Sequence, residues 1–181
     1  MMSLSDLANL GQIIGAIAVV VSLVYVALQI RQNTNAVRAA TSQSVHEHFA
    51  NWYNSLACDA SLSKIVIDGL RNYGSLSEND KVRFVATFMA FLSYSQNAFI
   101  KWKQGLLAPA LWLAWEQIIM NFTGAPGGQA LWKERAYLFG EEFRRHVEDD
   151  LMKRALHPDA KPFGVFSIAK EPQSHAAATK T

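Results

Sequence analysis

The chain has 181 residues, half of them hydrophobic and only 18% charged, and its 17 basic and 15 acidic side chains leave a formal net charge of +2. The charges are interleaved, with seven basic and seven acidic side chains between Lys133 and Lys161; this excludes the one-signed surface a nucleic-acid partner requires. A mean hydropathy close to zero excludes a chain that crosses a bilayer many times, and the single cysteine, Cys58, excludes an intrachain disulfide.

Residues 7–30, LANLGQIIGAIAVVVSLVYVALQI, form a run of 24 without one charge. As a helix rising ~1.5 Å per residue it would be about 36 Å long, enough to cross a hydrocarbon core of roughly 30 Å. The residues before it contain no Lys or Arg. The run is also longer than a signal-peptide core, so an uncleaved anchor is expected. Arg31 and Arg38 follow the run and Asp6 precedes it, which by the positive-inside rule places the bulk of the chain in the cytoplasm.

Ser3 with Asp6 reads as a capping box that opens the first helix. The first proline is Pro109, so this helix can run from about residue 4 to near residue 56, with its weak point at Asn33-Thr34-Asn35, whose short side chains compete for the backbone. Val45, Phe49, Trp52 and Leu56 share one helical face and require a packing partner. A second helix is expected over residues 59–72, capped by Asp59. A third, opened by Ser77 and Asp80, runs to about Gln104 and stops at Gly105. Its Phe84, Val85, Phe88, Met89, Phe91, Leu92, Phe99 and Ile100 cover most of the circumference, as expected of a central bundle helix. The alternative, a second span, is disfavoured by its short uncharged window and its polar interruption.

Pro109 suits the first turn of a fourth helix, which presents Leu111, Trp112, Trp115, Ile118, Ile119 and Phe122. Gly124-Ala125-Pro126-Gly127-Gly128 reads as a helix stop followed by a flexible connector. Residues 129–139 and 141–156 then read as a helix pair hinged near Gly140. Glu141/Arg145, Asp149/Lys153 and Asp150/Arg154 stand at i,i+4 on its second member and mark a solvated face. Residues 157–181, rich in Pro, Ala, Ser and Thr, read as a disordered tail; the only strand-like stretch is 163–168.

Several stretches resemble a family of bacterial membrane proteins of unassigned function. They are the opening SLSDLANLGQIIGAIAVVVSLVYVALQIRQNTNAVRAAT, then DGLRNYGSLSENDKVRF, QNAFIKWKQGLL, and PGGQALW leading to FRRHV. The pattern is an anchor ending in a QIRQNT-like stretch followed by a helical region, and it covers the chain to about residue 156. The resemblance implies a bacterial, membrane-anchored, all-helical protein. It brings no activity, cofactor or catalytic residue.

Chemistry is sparse. His46-Glu47-His48 cannot bring both imidazoles to one metal, because residues two apart on a helix point roughly 200° apart. No Glu-x-x-His pair exists for a carboxylate-bridged centre, and Glu142 with His146 reads as a surface contact. The glycine-rich stretch lacks the Gly-Lys-Ser/Thr of a phosphate loop. Cys58 has no evident cationic neighbour to activate it. Ser93, Tyr94, Ser95, Gln96 and Asn97 interrupt the most apolar helix. They are expected to form a buried polar network, or else to line a pocket with Trp102, Trp112 or Trp115 as walls.

In the anchor, Gly15, Ala18, Ser22 and Gln29 fall within about 40° of Gly11 and form with it a small-residue stripe suited to close helix approach. Tyr25 stands at its edge.

The sequence therefore leads to an all-α protein with a transmembrane anchor at 1–32, a helical bundle domain at 33–156 and a disordered tail at 157–181. The expected function is a non-enzymatic, membrane-anchored interaction or scaffold protein of a bacterial inner membrane. It would contact the bilayer through residues 7–30, self-associate through its span, and engage an unidentified protein partner without a cofactor. The alternative is a small-molecule sensor with its pocket near Tyr94 to Asn97.

Overall fold

The computed structural model describes residues 4–154, apart from the side chains of Asp6, Leu7 and Leu10. Among these residues there is no strand. The helices are α1 (Leu4–Cys58), α2 (Ala60–Arg71), α3 (Glu78–Lys103), α4 (Pro109–Thr123), α5 (Pro126–Arg135) and α6 (Glu141–Arg145). A π-helical turn (His146–Asp150) and a 3-10 turn (Leu151–Lys153) continue α6. The Ser3 cap and the tail lie outside the described residues.

The chain divides into two units, Met1–Gln43 and the residues from Ser44 onward. In the first, α1 passes through Asn33-Thr34-Asn35 without a break. The Thr34 hydroxyl donates to the Ile30 carbonyl at 2.9 Å, one turn back, so its polar group is satisfied inside the helix rather than competing against it. α1 is, among the described residues, the one helix long and apolar enough to cross a membrane.

The second unit is a bundle built on local start signals. Asp59 caps α2 by accepting the Leu62 amide at 2.9 Å. Ser77 caps α3 by accepting the Asp80 amide, and its hydroxyl donates to the Asp80 carboxylate. α3 ends as expected at Gly105, whose φ of +70° only glycine adopts cheaply. The Leu106 amide then reaches back to the Lys101 carbonyl and the Gly105 amide to Trp102, which closes the helix end. Pro109 opens α4.

α3 is the central helix. Phe84, Phe88, Phe91, Leu92, Ala98 and Phe99 are buried, while Ile100 is exposed. Around Phe91 the rings of Trp52, Phe122 and Trp115 stand at 5.1, 4.8 and 6.5 Å, and each fully buried large side chain contributes roughly 1.5–3 kcal/mol. Trp52 also donates its indole N–H to the Thr87 carbonyl at 2.9 Å. The expected face of α1 is engaged: Trp52 and Leu56 are buried, and Val45 and Phe49 pack against the core.

Two further stretches differ from expectation. Pro126-Gly127-Gly128 is the first turn of α5, not a flexible connector. Both glycines are buried. A Cβ on Gly127 would lie 1.7 Å from the Gly69 carbonyl oxygen of α2, and one on Gly128 would lie 2.0 Å from the Phe122 carbonyl oxygen of α4. Glycine is needed here for backbone-to-backbone approach, not for freedom. Beyond Gly140, the α-helical part is only Glu141–Arg145; the chain then widens into the π-helical turn before tightening at Leu151–Lys153.

Candidate functional site

Glu116 is the only charged residue in α4, PALWLAWEQIIMNFT. Helical spacing aims it at the core with Trp112, Ile119 and Met120, and it is only 3% exposed. An ionised carboxylate so placed needs compensating donors, and three supply them. The Trp112 indole N–H donates to Oε1 at 2.7 Å, and His146 Nε2 lies 3.0 Å from the same oxygen. The Arg154 guanidinium donates to Oε2 at 2.6 Å.

The clasp extends into the C-terminal segment. Arg154 donates to both Asp150 oxygens, at 2.8 and 2.6 Å. Its hydrogen bonds to Glu116 first, and to Asp150 second, push its pKa above the ordinary guanidinium value. His146 Nδ1 stands 3.5 Å from Asp150 Oδ2. The imidazole is stacked on Phe99 at 5.1 Å, with Trp112 at 5.7 Å and Trp102 at 6.2 Å. A cleft of about 220 Å³ opens beside Arg154, lined by Met120, Thr123, Gly124, Gln129, Leu151 and Met152.

Glu116, His146 and Asp150 each offer a donor atom within 4.8 Å of the others. Glu116 stands at Nε2 of the ring and Asp150 at Nδ1. Arg154 already supplies the cation between them. The arrangement ties α4 to the segment 146–154.

The other sequence candidates scatter. Ser95 is buried and turns its hydroxyl back to the Phe91 carbonyl at 2.9 Å. Gln96 accepts the Gly140 amide at 2.7 Å, and Tyr94 stacks on His48 at 5.1 Å. Ser93 and Asn97 are exposed. The polar side chains thus point to different neighbours, and Gln96 and Tyr94 tie separate parts of the bundle together. His46, Glu47 and His48 are all exposed, as is Cys58. Glu142 faces Lys103 at 3.5 Å rather than His146. The three i,i+4 pairs form, but the Asp150/Arg154 pair also reaches the buried Glu116. Gly11, Gly15, Ala18, Ser22 and Gln29 are exposed along α1, and a Cβ on either glycine would meet nothing within 4 Å.

The clasp was missed in the sequence because its arms are distant. His146 is 30 and Arg154 is 38 positions from Glu116. The available signal was the lone acid in an otherwise uncharged, tryptophan-rich helix, which must find a cation elsewhere.

Comparison of the chain with protein-family models, with curated proteins and with solved structures gives no match.

Proposed function

We propose that this chain is a membrane-anchored helical interaction protein with no catalytic chemistry of its own. Residues 7–30 hold it in a bacterial inner membrane, and the bundle stands on the cytoplasmic side, where Arg31 and Arg38 draw it. The observation that carries this reading is the state of α1 between Gly11 and Ile30. Its large apolar side chains are exposed all round, Ile13, Val20 and Val24 as much as Val21, Leu23 and Ile30. Leaving apolar surface in water costs about 25 cal/mol per Å², so such a helix calls for lipid or for another helix. The bundle, by contrast, covers its own core. The resemblance of the opening stretch to bacterial membrane proteins supports the same assignment.

Gly11, Gly15, Ala18 and Ser22 leave an open groove along one face, with Gln29 at its end, and a second copy of the span is the partner that fits it. Interhelical hydrogen bonds in membranes average only ~0.6 kcal/mol, so packing should dominate over Gln29. Crosslinking in membranes tests this. Gly15→Ile should abolish the dimer band, Val20→Ile on the opposite face should leave it, and Gln29→Leu should weaken it slightly. Equal crosslinking of Gly15→Ile and wild type would remove the stripe as an association surface.

A further inference from the structure

The imidazole of His146 stands between two groups that can only accept. Nε2 lies 3.0 Å from Glu116 Oε1 and Nδ1 lies 3.5 Å from Asp150 Oδ2. A neutral imidazole has one N–H and one lone pair, so it always sets a lone pair against one of the two carboxylates. Only the imidazolium faces both with an N–H. The faces of the ring agree with this, since Phe99, Trp102 and Trp112 surround it and aromatic faces attract a cation.

The other charged groups nearby are committed. Arg154 is held by Glu116 and Asp150. On α3, Lys103 lies over the Phe99 and Trp102 rings and pairs with Glu142. Within the segment, Asp149 pairs with Lys153, and Glu148 accepts the Trp132 indole N–H at 3.2 Å.

We propose that His146 is a proton-operated latch that closes the C-terminal segment, residues 146–154, onto α4. Protonated, it bridges Glu116 and Asp150. On losing the proton it keeps Glu116, whose side chain is only 4% exposed, and gives up Asp150, whose side chain is 42% exposed. Asp150 is the last residue of the π-helical turn, a rare conformation that occurs mostly as single turns within helices, frequently at functional sites. Releasing Asp150 removes one of its two restraints, leaving Arg154. The segment then loosens while the aromatic core under it stays packed. The latch is independent of how the chain is anchored, since all its parts lie in the bundle.

Hydrogen exchange on the full-length protein in lipid nanodiscs tests the latch. After correction for intrinsic rates, amides of residues 147–154 should lose protection as the pH is raised, while those of α3 stay constant. His146→Gln should show no such pH dependence. An unchanged profile in wild type, or the same pH dependence in His146→Gln, would overturn the proposal. A second readout needs no variant: imidazole ¹⁵N shifts in the wild-type protein should show both His146 nitrogens protonated at the acid end. A ring with one bare nitrogen under those conditions would overturn it as well.

Discussion

Replacing Gly127 by alanine adds one methyl group where α5 meets α2. That carbon would lie 1.7 Å from the Gly69 carbonyl oxygen, 2.8 Å from its carbon and 3.1 Å from the Leu70 carbonyl carbon, whereas real Cβ contacts stay beyond 3.0 Å. The obstacle is backbone on both sides, so no rotamer change relieves it and the helices must part by more than an ångström. Leu70 and Leu131 are fully buried, and Trp132 nearly so; separation therefore loosens a packed layer. Overpacking of this kind costs about 1–3 kcal/mol, and a rigid backbone contact belongs at or above the upper end. Helix propensity works the other way, since alanine is favoured over glycine by up to ~1 kcal/mol in a helix interior. The net expectation is a loss of at least about 2 kcal/mol. Urea unfolding followed by tryptophan fluorescence reports it directly, because Trp52, Trp102, Trp112, Trp115 and Trp132 are all in the bundle. Gly74→Ala is the control, since its Cβ meets only Asn72 Oδ1 at 3.4 Å. A Gly127→Ala protein within about 0.5 kcal/mol of wild type, the ordinary range for a harmless surface change, would refute the close helix crossing.

Two further outcomes follow from the same structure. Glu116→Ala strands the Trp112 indole, His146 and Arg154 together and should cost about 3–5 kcal/mol, the range for removing one partner of a buried charge pair; a thermal shift near zero would show that the clasp holds nothing. The Leu62 amide, and after it the Arg83 guanidinium, hold the Asp59 carboxyl below its usual range against partial desolvation. The stability that Asp59 supplies is therefore fully present above the unfolded carboxylate value of about 3.9 and is lost as pH falls through its lower folded value. Asp59→Asn should flatten that part of the acid-unfolding curve, and an identical curve would refute the assignment.

Helix starts were legible because they are local. The Asp59, Ser77 and Pro109 signals act within one turn of themselves, and the structure uses all three. The central place of α3 was legible from its apolar circumference. Asn33-Thr34-Asn35 misled because the same hydroxyl that can break a helix can also bond back into it, as Thr34 does. Pro126-Gly127-Gly128 misled for a different reason. A glycine required for close approach looks in sequence like a glycine that confers freedom, and the Gly69 carbonyl that decides between them lies on another helix. The clasp is non-local in the same way: each of its parts reads as an ordinary surface charge until α4 and the C-terminal segment are side by side. Only the isolation of Glu116 within α4 pointed to it. The polar run at residues 93–97 could be picked out, but not the separate destinations of its side chains.

The central claim is that α1 anchors the chain by spanning a bilayer, and alkaline carbonate extraction of membranes carrying the full chain tests it most directly. A spanning helix covered by lipid withstands the wash, whereas electrostatic and peripheral contacts do not. The account predicts that the protein stays with the membrane pellet and floats with it on a density gradient. Complete release into the supernatant, as a soluble helical protein or oligomer, would contradict it.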